Sequence, residues 1–337
     1  MVQTLTNKQI VLVSRPVGMP TNENFLYREA PVAEPQDRQV VVQSHYLSVD
    51  PYMRGRMSDA KSYIAPYALN EVIVGGIVGE VVASKSDKLQ VGDKVLGMLG
   101  WQIYNVVDAG NVTKVDDSIA PLSAYLSVLG LTGLTAYFGL LDIGQPKEGE
   151  TVVVSGAAGA VGMLVGQIAK IKGARVVGIA GSDEKVAFLK GELGFDEAIN
   201  YKTANLQEAV AQACPNGVDV YFDNVGGVVS DAVMSQLNDH ARIPLCGAIS
   251  SYNATDGDLG PRMQTKLIKT RSLMKGFVLS DYASRMQEGA KALAQWLSEG
   301  KLKYEETIVE GFENVPQAFL GLFKGENIGK QLVKVTE

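Results

Sequence analysis

An uninterrupted apolar run, Thr151-Val152-Val153-Val154, meets a turn of small residues, Ser155-Gly156-Ala157-Ala158-Gly159-Ala160-Val161-Gly162. Behind the turn, Met163 to Lys170 is apolar at helical spacing, and Arg175-Val176-Val177-Gly178-Ile179-Ala180 follows as a second short apolar run. The order is strand, tight turn, helix, strand. From Ala157 to Gly162 the turn reads A-x-G-x-x-G, the dinucleotide fingerprint with alanine in place of its first glycine. On that reading Gly159 lets the backbone approach a pyrophosphate and Gly162 lets the helix sit close on the strand. The helix N-terminus then faces the phosphate charge. Small residues are also what any parallel sheet needs where strand turns into helix. The position of the motif, between two strands of one βαβ length, favours the dinucleotide.

The tip of the second strand bears on which dinucleotide is bound. An acidic residue about 20 positions past the motif accepts the ribose hydroxyls of the unphosphorylated cofactor. Here Ala180-Gly181-Ser182 stands in that place, and Lys185 follows. With no carboxylate at the tip a 2′-phosphate is not repelled, and Lys185 supplies a counter-charge. Asp183 and Glu184 argue the other way, although Ser182 reads as an N-cap and acids suit a first helical turn. NADPH is therefore expected over NADH.

Of the 337 residues 46% are hydrophobic and 20% charged, which allows two ordinary globular domains. The net charge of −6 offers no basic field for nucleic acid, and the short cluster Lys266 to Arg271 reads as a solvated helix face. Two cysteines, Cys214 and Cys246, and two histidines, His45 and His240, are too few and too scattered for a zinc site, so no metal is expected. His45 reads as an ordinary strand residue and the cysteines as buried thiols of a reducing compartment. No apolar stretch approaches the roughly 18 residues of a membrane span. Met1 to Lys8 shows no secretory pattern, and a cytoplasmic location is expected.

Residues 8 to 115 are rich in short Val-containing runs, at 9–13, 39–43, 77–83 and 93–98, with turn residues between them. Glycines placed among apolar residues, as in Val74 to Val82, suggest bends in a curled, barrel-like antiparallel sheet. Leu47 to Met57 mixes apolar, aromatic and basic groups, and reads either as a pocket lining or as a loop packed on the next domain. Pro121 to Leu141 reads as helical, with Gly130, Gly133 and Gly139 interrupting the pattern, and marks the domain junction. Beyond it, helices at 183–192, 205–213 and 228–237 alternate with strands at 197–201, 218–224 and 241–246, and a further strand lies near 274–279. That alternation predicts a doubly wound parallel sheet. Ligands of such sheets sit beyond the carboxyl ends of the strands, which singles out Tyr201, Asn224 to Gly227, and Gly247 to Tyr252. A helix at 285–299, a strand at 308–313, a helix at 314–323 and a last strand at 331–335 complete the chain. The expected fold is α/β, a Rossmann domain of residues 126–304 with a β-barrel-type domain of residues 1–125 plus 305–337.

Taken together, Ala157 to Gly162, Gly181 to Lys185, Asn200-Tyr201-Lys202, Tyr221 to Gly227, Cys246 to Asn253 and Lys324 to Lys330 resemble the zinc-free medium-chain dehydrogenase/reductases. Within them the chain is similar to the prostaglandin reductase and plant alkenal double-bond reductase group. Leu47 to Met57 and Ser250 to Thr255 resemble the bacterial NADPH-dependent curcumin reductases most. The resemblance spans essentially the whole chain. It implies a GroES-like N-terminal domain and an NADPH-dependent reductase of carbon–carbon double bonds conjugated to a carbonyl, with a small hydrophobic enone as substrate and a homodimer as assembly. Carried over by motif, Gly159, Ala160, Val161 and Gly162 hold the pyrophosphate, and Lys185 with Tyr201 the 2′-phosphate end. Asn224, Cys246, Gly247, Ala248, Ile249, Ser250, Tyr252, Phe277, Val278, Leu279 and Asn327 line the rest, with Asn327 near the nicotinamide. The chemistry needs a hydrogen-bond donor for the developing enolate. Tyr252 is the first candidate, followed by Tyr63 and Tyr52, with Tyr67 and Tyr282 as further pocket candidates. A tyrosine whose hydroxyl bonds backbone is the alternative for each. Prostaglandin reductases carry a tyrosine where this chain has Lys269, so its role does not transfer. A quinone reductase of the same superfamily and a non-catalytic NADPH-binding protein are the competing readings.

Overall fold

A computed structural model describes residues 5–335, and within it the chain forms two compact units. Met1–Thr4, part of the stretch read as lacking a secretory pattern, and Thr336–Glu337 lie outside the described residues. The first unit takes the chain through Leu126, then Thr307–Asn327 and the segment from Gln331 onward. The second is Ser127–Glu306 with Ile328–Lys330.

The first unit holds a seven-stranded sheet whose centre is the ten-residue strand Gln39–Ser48. Residues 39–43 pair antiparallel with 104–108, and residues 46–48 pair with 332–334 along the same edge. The partner changes at His45, where the register against Val74–Ser84 also slips between Ser44 and Tyr46. A bulge of this kind bends a strand and lets one element serve two directions of a curled sheet. Burial, together with the Lys94 charge, holds the His45 imidazole below its usual pKa, while Glu80 opposes them. Trp101, Phe25 and Phe319 form the aromatic centre of the core, with ring centroids 6.2 to 6.4 Å apart. Met53 and Met57, from the mixed segment 47–57, are fully buried in the same core.

In the second unit β1 (Thr151–Ser155) leads through the turn to α1 (Gly162–Ile171), β2 (Arg175–Ala180), α2 (Asp183–Gly191) and β3 (Glu197–Asn200). The chain continues with α3 (Leu206–Ala213), β4 (Val218–Phe222), α4 (Gly227–Met234), β5 (Leu237–Leu245), α5 (Gln264–Thr270) and β6 (Leu273–Gly276). The six strands are parallel in the order β3-β2-β1-β4-β5-β6. Strand order therefore reverses between β1 and β4, which opens a crevice at their carboxyl ends. Every residue of β1 is buried, as a parallel strand covered on both faces requires.

Some elements differ from the sequence reading. The stretch from Pro121 to Leu141 is broken: a 3-10 turn, Leu122–Leu126, is followed by a helix, Leu131–Phe138, and a π-helical turn, Gly139–Gly144. Gly130 breaks it with a non-helical backbone, φ −113° and ψ −149°. Strand β5 begins at Leu237, ahead of the expected 241, because Leu237 pairs with Val218 before a register shift. Strand β4 stops at Phe222, short of Asn224, where the side chains of the next two residues take up local bonds described below. No helix of the described residues is long and apolar enough to cross a membrane.

Helix α1 lies close over the sheet because Gly166 leaves room for the Phe195 ring. A methyl group at that position would fall 1.9 Å from Phe195 Cζ. Gly166→Val is expected to cost about 2 kcal/mol of stability through overpacking, measured by urea unfolding, and the double variant with Phe195→Leu should recover part of it. An unchanged midpoint in the single variant would show that α1 is not seated on that ring.

Candidate cofactor site

The turn after β1 is built by three close approaches. Gly156 is left-handed, with φ +58°, and its carbonyl accepts the Gly159 N–H at 3.0 Å. A methyl group on Gly162 would lie 2.4 Å from that carbonyl oxygen and 2.8 Å from Ala157 Cα, so any side chain there would lift α1 off the turn. Val161 provides no side-chain cap for α1, and a ten-residue helix without a side-chain cap suits an anion at its N-terminus. Ala158 is tied from its carbonyl to the Gly329 N–H at 2.8 Å.

At the crevice itself one carboxylate organises the floor. Asp223 is 2% exposed, and its Oδ1 accepts from Ser155 Oγ and the Tyr221 hydroxyl at 2.8 Å, Val225 N at 2.9 Å and Gly226 N at 3.0 Å. Ser155 Oγ in turn accepts the Asn224 N–H at 2.9 Å, and Asn224 Nδ2 donates to the Ser155 carbonyl at 2.8 Å. Strands β1 and β4 are thus locked at the tips where their order reverses. Burial, followed by the Asp223 charge, drives the Tyr221 hydroxyl well above its ordinary range and keeps it a donor. The loop after β5 is laced onto this floor. Cys246 N and Gly247 N donate to the Asp223 carbonyl, Ile249 N to that of Asn224, and Ser250 N with Ser250 Oγ to that of Val225.

Tyr252 folds back over its own loop, and its hydroxyl accepts the Ala248 N–H at 3.1 Å. The bond uses a lone pair and leaves the phenolic proton for another acceptor. Burial raises the pKa of that hydroxyl, although the Ala248 bond opposes the rise. Phe277 packs edge-on against Phe222 and Tyr282, while Tyr282 stacks on Phe138 with centroids 4.6 Å apart. Val278 and Leu279 are half-buried and lead into a 3-10 segment, and Asn327 is half-buried between the helix Val315–Lys324 and the last strand. Cys246 and Cys214 are both free thiols. Burial pushes Cys246 up to about 12 and Cys214 to about 11.

At the other end, Ser182 caps α2 by accepting the Lys185 N–H at 3.2 Å, while Asp183 is held by Asn200 Nδ2 at 2.8 Å. The Tyr201 N–H donates to the Ala180 carbonyl at 3.0 Å, which brings the end of β3 beside Gly181.

In the first unit Tyr52 opens a short helix, Tyr52–Arg56, and burial raises its pKa, with Asp50 adding to the effect. Tyr67 donates its hydroxyl to the Val74 carbonyl at 2.7 Å, and the Arg56 guanidinium lies 4.0 Å over its ring. Tyr63 is 66% exposed.

The sequence reading named Asn224 and missed Asp223 and Ser155 as the groups that hold it. Tyr221 and Asp223 stand two apart at the end of a strand and therefore share one face, a signal available from spacing alone. Among the described residues no group of three or more His, Cys, Asp or Glu side chains could hold a metal.

A doubly wound sheet with a small-residue turn at its order reversal defines a dinucleotide-binding protein. The chain belongs to the medium-chain dehydrogenase/reductase family, in the group that contains the prostaglandin reductases and 2-alkenal reductases. Residues 8–115 match the family described as the N-terminal domain of oxidoreductase, and residues 160–298 the one described as zinc-binding dehydrogenase. YfmJ of Bacillus subtilis is 65% identical over 337 residues, 99% of each chain. The NADPH-dependent curcumin reductase of Escherichia coli is 48% identical over 338 residues, 99% of this chain and 98% of its own. The crystal structure of CurA from Vibrio vulnificus in complex with NADPH has a TM-score of 0.93 at 50% identity, covering 98% of this chain and 99% of its own.

Asp223→Ala leaves four donors without their acceptor and is expected to cost at least about 3 kcal/mol in urea unfolding, whereas Asp223→Asn keeps an oxygen in place and should cost less. Equal midpoints for the wild type and the alanine variant would remove the carboxylate from its organising role. Because the thiolate is the reactive form, iodoacetamide at pH 8 should modify neither cysteine in the folded protein and both in guanidinium, as read by intact mass.

Proposed function

We propose that the protein is an NADPH-dependent reductase of the carbon–carbon double bond in α,β-unsaturated ketones and aldehydes. The observation that carries the reading is the combination of an order-reversal crevice with an adenosine end free of strand-tip carboxylate. Relatives named for curcumin and 2-alkenal reduction support the substrate class. The residues fit the cofactor. Gly159, Ala160, Val161 and Gly162 hold its pyrophosphate at the N-terminus of α1, and Lys185 with Tyr201 its 2′-phosphate. Asn224, Cys246, Gly247, Ala248, Ile249, Ser250, Tyr252, Phe277, Val278, Leu279 and Asn327 line its remaining length, with Asn327 assigned to the nicotinamide end.

When bound, NADPH supplies the hydride that the β-carbon of the substrate accepts. The chain's own task is to orient the enone, exclude water and give the carbonyl oxygen a donor as enolate character develops. Tyr252 is assigned that donor role because its hydroxyl accepts from backbone and keeps its proton. The Tyr67 proton is already bonded to the Val74 carbonyl, so Tyr67 is not assigned it. Tyr52 and Tyr63 are proposed to position the substrate. A cytoplasmic homodimer belongs to the same proposal, with β6 as an edge strand carrying Leu273 at 50% exposure.

Steady-state NADPH oxidation against panels of enones and quinones tests the reading, which expects turnover of enones to saturated carbonyls. Tyr252→Phe should lower kcat by about 100-fold, the range for loss of one oxyanion donor, while the Kd for NADPH from fluorescence titration changes little. Unchanged kcat would remove Tyr252 from the role, and turnover confined to quinones would overturn the substrate class.

A further inference from the structure

We propose that Lys202 is a second cation for the adenosine 2′-phosphate, acting beside Lys185 and Tyr201 to set the preference for NADPH over NADH. The inference rests on the placement of the 2′-phosphate at the carboxyl end of β2 made above.

Gly181 is the meeting point. A methyl group there would lie 3.1 Å from Tyr201 Cε1, 3.3 Å from the Tyr201 hydroxyl oxygen and 3.4 Å from Lys202 Cε. The phenol and the lysine stem therefore run side by side over the one residue at the strand tip that has no side chain. A larger residue at 181 would displace both. Lys185 approaches the same place from the first turn of α2, and the positive charge of Lys202 is felt there. The Lys185 ammonium is held below its ordinary pKa first by burial and then by Lys202, with Glu184 opposing.

Asn200 arranges the surroundings through both ends of its carboxamide. Its Nδ2 donates to Asp183 Oδ1 at 2.8 Å, and its Oδ1 accepts the Lys202 N–H at 3.1 Å. A neutral residue thus engages Asp183 and fixes the turn that presents Lys202. Among the described residues no ion pair involves Lys202. The two ammonium groups sense each other's charge, and an anion seated between them relieves that repulsion. A 2′-phosphate monoester carries nearly two negative charges near neutral pH, so two lysines match it better than one. The 2′-hydroxyl of NADH carries none and gains nothing from either.

Isothermal titration with adenosine 2′,5′-bisphosphate and adenosine 5′-monophosphate tests this without turnover. The probes differ only in the 2′-phosphate. Lys202→Ala should weaken the bisphosphate by about tenfold and leave the monophosphate within about twofold, while Lys202→Arg should retain most of the affinity. The slope of affinity against salt should also flatten in Lys202→Ala. A loss shared equally by both probes would make Lys202 a structural residue and overturn the proposal, as would no loss at all. If Lys185→Ala alone changes the ratio of the two affinities, Lys202 is excluded while the subsite stands. If neither alanine variant changes it, the placement of the 2′-phosphate falls as well.

Discussion

A single buried carboxylate oxygen joins the two strands between which this fold changes direction. Oδ1 of Asp223 gathers a serine hydroxyl from the tip of β1, a phenol from β4 and two successive backbone amides. Hydrogen bonds to an ionised acceptor are the stronger kind, and the low dielectric of the interior makes each of them costly to lose. The arrangement gives the crevice a fixed floor built from side-chain and backbone hydrogen bonds. Asn224 is carried on that floor, and the loop from Cys246 to Ser250 is carried on Asn224 and its neighbours through main-chain bonds. The positions of Asn224 and of the loop from Cys246 to Ser250 therefore depend on where one carboxylate is buried.

The two ends of the second unit's sheet divide the electrostatic work. Near the order reversal the turn offers backbone amides and a helix terminus, which suit a pyrophosphate whatever the rest of the nucleotide. At the tips of β2 and β3 the groups proposed to discriminate between cofactors are side chains, and the nearby acid Asp183 is engaged by Asn200. The cysteines follow a similar logic of restraint. A protein proposed to handle electrophilic alkenes has only two thiols; Cys214 is buried and Cys246 half-buried, and burial raises the pKa of both and so favours the neutral thiol.

Much of this was legible in the sequence, for identifiable reasons. The run Thr151 to Gly162 combines a strand too apolar for a one-sided sheet with glycines at spacings that only a strand-to-helix turn needs, so the βαβ unit and its ligand class follow from local pattern. Ser182 likewise announces its cap, and the structure has its Oγ accept the Lys185 amide. What stayed hidden depends on chain segments far apart. Ser155 and Asp223 are 68 residues apart, and no local spacing tells that one hydroxyl will meet the other's carboxylate. By contrast, the break in the helix expected from Pro121 to Leu141 falls at Gly130, one of the glycines that interrupt its pattern, where the backbone is non-helical. Tyrosines were the least readable class: Tyr67, Tyr252 and Tyr282 look alike in sequence, yet one donates to backbone, one accepts from it and one is stacked on a phenylalanine.

The central claim is that this fold delivers hydride from NADPH to the β-carbon of a conjugated carbonyl compound. It is tested most directly by reducing a simple 2-alkenal with NADPH deuterated at the nicotinamide C4 and locating the label by mass spectrometry and NMR. The account predicts a saturated aldehyde carrying one deuterium at its β-carbon. Deuterium at the carbonyl carbon of an unsaturated alcohol, or no transfer to the alkenal at all, would contradict it.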